Sequence, residues 1–308
     1  MFEGLFYLFV FPGLAFQVFC GLAFEWVDRK LLARFQRRVG PQWYQPLADL
    51  IKLFSKEDLL PTGASGWVAT ILPLISLAAV LTAGLYIPVA GFTPFSFEGD
   101  LIVIVFLMGI PTLAYYLAGM TSVGIYSILG GARSLLQYFS YEVPLLLAFS
   151  GPAILSGSWS VAEILKSQAE LGPFILFQPV GFCLAIAGLI GKLKRDPLDI
   201  PKAKSEVVAG SLTEFSGGKL AFWHLTMDIQ AIVGIFLLIN LFFGMPLGIS
   251  PWINTLIFSG EVLLVIFILS ASSSIFARLR IDQLASLGWR ILVPVGIIQL
   301  LFVILMGV

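Results

Sequence analysis

Charge is scarce in this sequence. Only 12% of its 308 residues are Asp, Glu, Lys or Arg, and 58% are hydrophobic. Soluble domains carry about twice that share of charge. No soluble fold could cover so much apolar surface, so the solvent of this chain is lipid. Cysteine is scarcer still. Cys20 and Cys183 lie in apolar runs with no CxxC and no Cys/His cluster, which argues against a disulfide framework, a metal site or an Fe–S site in this chain. Both read as small core residues. The single histidine, His224, sits beside Trp223 at the start of an apolar run and reads as a hydrogen-bonded interface residue. No Gly-rich phosphate loop follows a strand. No Ser/His/Asp set or other nucleophile–base pair stands at either membrane face, so a lipid-modifying enzyme is disfavoured. No internal repeat is visible, which disfavours a standalone secondary transporter built from inverted repeats. Residues 4–24 lack a basic n-region and a small-residue cleavage site and read as a retained span.

What is abundant is long apolar runs. A helix needs about 20 residues to cross ~30 Å of hydrocarbon. Eight spans are expected, at 4–26, 67–89, 101–125, 141–157, 174–191, 220–246, 253–276 and 289–307. The runs lack the alternation of a barrel strand, so the fold class is an all-α polytopic bundle in one membrane domain, 1–308. The cations alternate between loops. Segments 28–66, 126–140, 192–219 and 277–290 hold seven, one, six and three Lys or Arg; the remaining loops hold Lys166 alone. The positive-inside rule places those four segments in the cytoplasm and both termini outside. Within 28–60, apolar residues recur at helical spacing opposite Arg34, Arg37 and Arg38, then opposite Asp49, Lys52 and Lys56. Two amphipathic surface helices broken at Gly40-Pro41 are expected, serving as a platform for a partner. The densest charge is in 192–219, read as a loop lying in water or under another protein.

A carboxylate inside hydrocarbon is costly and usually marks an ion path. Glu142 and Asp228 are the leading candidates; Glu25 and Glu261 lie near expected span ends, where snorkelling competes. Gln137, Gln230, Asn240 and Gln299 could hold water between them.

Four segments resemble the membrane subunit of respiratory complex I that sits beneath the peripheral arm, a family extending to membrane-bound NiFe hydrogenases and ferredoxin-dependent sulfane reductases. They are DRKLLARFQRRVGP (28–41) with QPLAD (45–49) and Lys52; GAR (131–133) with SYEVP (140–144); DIP (199–201) through EVVAG (206–210) and TEFSG (213–217); and ARLRIDQL (277–284) through Gly288-Trp289. The resemblance implies an anchor and coupling subunit linking electron transfer to H⁺ or Na⁺ translocation. It implies arm-docking or chamber roles for Asp28, Arg29, Arg34, Arg37, Arg133, Asp199, Lys202, Lys204, Glu206, Glu214, Arg278, Arg280 and Asp282, and an acidic path through Glu142. It implies no cofactor on this chain. Fe–S clusters, and in the hydrogenase branch a NiFe centre, would belong to soluble partners on the cytoplasmic face, with antiporter-like subunits and lipid as membrane neighbours, no nucleic acid, and a prokaryotic cytoplasmic membrane as the location. Three departures stand out: Asp28 where the family has Glu, Lys202 and Lys204 where it has acids, and a short link from Gly40-Pro41 to Gln45-Pro46. The short link is closer to the hydrogenase and sulfane reductase branch. The lysines make a quinone site the disfavoured alternative.

Overall fold

The computed structural model describes residues 2–244 and 250–306, without the side chains of Phe2, Lys204 and Ser205. Those residues form a bundle of fourteen helices: α1 Phe2–Phe9, α2 Leu14–Phe35, α3 Gln45–Phe54, α4 Gly66–Leu85, α5 Asp100–Met120, α6 Ile125–Ser156, α7 Val161–Leu171, α8 Phe174–Phe177, α9 Pro179–Leu193, α10 Lys204–Val207, α11 Gly217–Phe242, α12 Pro251–Ile275, α13 Ile281–Leu287 and α14 Val293–Leu305. A π-helical turn, Gly288–Leu292, joins α13 to α14. Seven stretches are long and apolar enough to cross a membrane, and α9 is a shorter apolar helix of 15 residues. The protein is a multi-pass membrane helix bundle.

Helix α11 is the axis. Its apolar window is 89% buried, against 22% for the α1–α2 and α13–α14 stretches. It packs on α2, α4, α9 and α12. Lipid offers helices little hydrophobic gain over one another, so this packing rests on close van der Waals fit and internal hydrogen bonds.

Contacts sort the loops onto two ends. At one end Leu279 N–H donates to Pro197 O (3.1 Å), Leu59 N–H to Ser216 Oγ (2.7 Å) and Val123 N–H to Glu214 Oε2 (3.0 Å). This end gathers all four cation-rich segments. At the other end Leu101 N–H donates to Trp159 O (3.2 Å) and Asn240 Nδ2 to Pro88 O (2.9 Å).

Three segments differ from the expectation. Residues 28–35 are the last turns of the crossing helix α2, not a separate surface helix; only α3 is a separate amphipathic helix. The apolar run simply continues through Leu31, Leu32 and Phe35. Residues 126–140, expected as a loop, belong to the 32-residue α6. Glu142 is therefore not at a span start. It lies about 25 Å along α6 from Ile125 at 1.5 Å per residue. The expected end of the sixth span, 245–246, and the loop part 247–249 fall outside the described residues. The largest difference is 192–219, which folds back into the bundle instead of lying in water. Leu198, Ile200, Ala203, Val207, Leu212 and Phe215 are buried and hold it down. It threads so closely past α6 that a Cβ on Gly130 would meet Gly210 Cα at 2.5 Å. Gly210 itself has φ +60° and faces Pro201 O, so no side chain fits there.

Candidate functional site

Because α9 is short, its C-terminus stops inside the bundle, and with it two lysines. Lys192, 1% exposed, donates from Nζ to Glu142 Oε1 at 2.9 Å. Two charges leave water together only when paired this closely. The second oxygen, Glu142 Oε2, is buried and has no hydrogen-bond partner among the described residues. One turn before Glu142, Gln137 Nε2 donates to Gly191 O and Leu198 O, both at 2.7 Å, and fixes the exit from α9.

Beyond α9 the chain enters a cavity of about 300 Å³. Its walls are mostly ionisable: Asp28, Lys194, Arg195, Asp196, Asp199, Lys202, His224 and Asp228. Arg195 pairs with the buried Asp28 at 2.6 Å and stacks over Phe24, and Ser270 Oγ donates to the same carboxylate at 2.7 Å. Arg278 pairs with Asp199 at 2.7 Å and also donates to its backbone carbonyl. Burial nevertheless holds the Asp199 carboxyl above its usual range, against the pull of Lys202 and Arg278. Burial pushes the Lys202 ammonium down to about 8, with Asp199 opposing the shift. Lys202 Nζ lies 2.7 Å from Met227 Sδ on α11.

His224 and Asp228, one turn apart on α11, also line a second cavity of about 250 Å³ with Glu25, Arg29, Asp49, Lys52 and Lys56. Here Glu25 faces Asp228 at hydrogen-bonding range. Arg29 bridges Glu25 and Asp49, the latter at 3.0 Å. Asp49 would be raised by burial, but hydrogen bonds from Arg29 and Gln45 Nε2 leave it below its ordinary value.

A third, outer cavity of about 440 Å³ is lined by Arg133, Glu206, Arg278, Arg280 and Asp282. Arg133 pairs with Glu206, and that hydrogen bond and charge lower the exposed Glu206 carboxyl.

The sequence candidates thus divide. Glu25, Asp28, Arg29, Asp199, Lys202 and Asp228 line the two joined cavities, with Glu142 behind them. Arg133, Glu206, Arg278, Arg280 and Asp282 line the outer one. Arg34 and Arg37 are exposed. Glu214 is occupied within this chain, accepting from the backbone N–H of Val123 and Gly124 at the start of α6. The Lys204 side chain lies outside the described residues. Glu261 is not brought to the cluster: it sits on α12, half-buried, its Oε2 without a partner. Gln230 donates to Met108 O (3.0 Å), Asn240 to Pro88 O, and Gln299 to Gln178 Oε1 (2.9 Å), so none of them lines these cavities. Sequence reasoning missed Lys192, Lys194 and Arg195 as interior groups, because dense charge ordinarily signals water. It also read His224 as an interface residue, whereas it stands between two cavities.

The chain matches the family described as NADH dehydrogenase over residues 9–304. A subunit of the NADH-quinone oxidoreductase of Dehalococcoides mccartyi (strain CBDB1) is 33% identical over 302 residues, covering 96% of this chain and 84% of that protein. Its counterpart in Thermomicrobium roseum is 34% identical over 303 residues, covering 89% and 88%. A solved chain of the membrane-bound sulfane sulfur reductase, an archaeal respiratory membrane complex, has a TM-score of 0.87 at 27% identity, covering 94% of this chain and 96% of its own. The chain belongs to the NADH dehydrogenase family, in which its similar relatives are subunits of NADH-quinone oxidoreductase.

Proposed function

We propose that this chain is the membrane anchor and coupling subunit of a complex I-like, redox-driven, ion-pumping oxidoreductase, of the hydrogenase or sulfane reductase type, and that it carries no redox centre itself. Soluble Fe–S subunits dock on the cation-rich end, and antiporter-like subunits flank the bundle. The observation that carries this reading is the run of ionisable groups from Asp49 through Arg29, Glu25, Asp228 and Lys202 toward Lys192 and Glu142. These groups lie between the cation-rich end and the buried Lys192–Glu142 pair.

Such a run converts charge into proton affinity. A unit charge arriving about 10 Å away, at an effective dielectric of about 20, is worth about 1.7 kcal/mol, or more than tenfold in a proton equilibrium. A redox event in the docked arm that moves the 194–216 segment would therefore change the affinity of Asp228, Glu25 and then Glu142 for a proton. The ionisable side chains that line the inner cavity suit water and ions better than a quinone ring, which favours apolar walls. A second reading, a quinone-chamber subunit, is favoured by the quinone oxidoreductase names of the relatives. Quinone reduction by the purified complex would select it.

The test is a gentle-detergent purification of the tagged chain from its native membrane, with mass spectrometry of its partners. Fe–S subunits and antiporter-like proteins are expected. A chain that comes down alone, as a homo-oligomer, overturns the coupling role.

A further inference from the structure

Lys194 takes no part in the ion pairs described above. Lys194 is 7% exposed and lines the inner cavity. Its backbone is left-handed, φ +51°, which a non-glycine residue rarely adopts. Its side chain lies over the Tyr115 ring of α5, Nζ 4.6 Å from the centroid. Among the described residues no carboxylate forms an ion pair with it, whereas Lys192, Arg195 and Arg278 each have one. The charges that act on it are both cations, Lys202 from the cavity side and Lys192 from the α9 side.

A buried lysine kept only as a structural cation would be matched with an acid. Here the charged form has only the face of one aromatic ring in its favour, worth about 0.5–2 kcal/mol. Little therefore offsets the cost of burying its charged form. Burial, with Lys202 and Lys192 adding to it, holds the Lys194 ammonium well below its ordinary value. It follows Lys192 by two residues, at the end of α9, and lines the inner cavity together with Lys202 and Asp228.

We propose that Lys194 carries protons between the inner cavity and the Glu142–Lys192 pair. The inference rests on the coupling reading above. Lys192 passes its proton to Glu142, giving a neutral carboxylic acid and a neutral amine. The Lys194 ammonium reprotonates Lys192 and is left as a free amine over Tyr115. A proton from the cavity then restores the Lys194 ammonium. The net result is one proton moved from the cavity to Glu142, with the three-residue set otherwise returned to its starting charges. The same steps run in reverse.

The test compares Lys194→Arg, Lys194→Met and Glu142→Gln in the native complex. Each complex is purified, reconstituted into liposomes and assayed for ions moved per electron. Lys194→Arg keeps the cation over Tyr115 but cannot release its proton, because a guanidinium does not deprotonate in proteins. The expected result is that Lys194→Arg assembles yet moves at least tenfold fewer ions per electron, and that Lys194→Met does no better. Wild-type transport in Lys194→Arg, with loss only in Lys194→Met, would mean a structural cation and overturn the proposal. Loss of transport in Glu142→Gln alongside normal Lys194→Arg sinks only the relay. Normal transport in Glu142→Gln sinks the coupling reading itself.

Discussion

The two ends of the bundle bury polar groups in opposite ways. At the cation-poor end several buried side chains are tied to the backbone. Asn240 Nδ2 donates to Pro88 O and Phe236 O, Gln168 Nε2 to Asn240 O at 2.7 Å, and Asp100 accepts from the Val161 N–H at 2.8 Å. These are clamps, in which neutral amides and one cap satisfy backbone groups that lipid cannot. At the cation-rich end charges face one another across two cavities that share His224 and Asp228; among the described residues, polar atoms without a partner occur at both ends, Glu142 Oε2 and Asp199 Oδ1 at this one and Asn240 Oδ1 and Gln178 Nε2 at the other. One end holds its form; the other holds charge that can be redistributed. Under the proposed coupling role, the difference separates residues that make the fold from residues that would use it.

That contrast can be broken, starting with the largest effect. Glu142→Ala leaves Lys192 buried without its acid and should cost about 3–5 kcal/mol. Adding Lys192→Met should recover most of it in a double-mutant cycle of thermal unfolding in detergent. Gly130→Ala drives a Cβ into the Gly210 backbone and should cost about 3 kcal/mol as the 192–219 segment lifts. Gly260→Ala, which meets nothing within 4 Å, should be neutral within about 0.5 kcal/mol. At the other end Asn240→Ala strips a partner from Pro88 O and should cost about 2 kcal/mol. It should lower the unfolding temperature while ions moved per electron stay unchanged; a transport defect would blur the division between the ends.

A further effect, of about the same size as that of Asn240→Ala, concerns pH. Lys202 falls from 10.5 to about 8 on folding. A depressed lysine favours the folded state most above its unfolded value, and that contribution is lost as pH falls through about 8. Wild-type stability should therefore drop on acidification between about 10.5 and 8, and Lys202→Met should remove that drop. At pH 7 the variant should be more stable by about 2 kcal/mol, once partial solvent access to the side chain is allowed for. A Lys202→Met protein with the wild-type pH profile would show that the ammonium is well solvated.

Much of this was legible in the residues. The apolar runs marked the crossings, and the alternation of cations correctly grouped the four loops that share an end. Glu142 and Asp228 were visible as carboxylates inside apolar stretches. The placement of 192–219 was not legible, for a physical reason. Lys192, Lys194 and Arg195 read as a solvated turn because isolated charge belongs in water, and the acids that Lys192 and Arg195 meet, Glu142 and Asp28, lie far away in sequence. What pulls the segment inside is the shortness of α9 and the absence of a Cβ at Gly130 and Gly210. Neither carries a periodic signal. Glu261 shows the converse: it too is a carboxylate in an apolar run, yet it faces none of the other charges among the described residues.

That pair gives the most direct test of the central claim, that the connected run of charges couples the cation-rich end to the membrane interior. Asp228→Asn and Glu261→Gln each neutralise one carboxyl on a crossing helix, one inside the run and one outside it. Ions moved per electron should be measured for both complexes in liposomes. The account predicts at least a tenfold loss in Asp228→Asn and a wild-type ratio in Glu261→Gln. Equal losses in the two, or a loss only in Glu261→Gln, would contradict it.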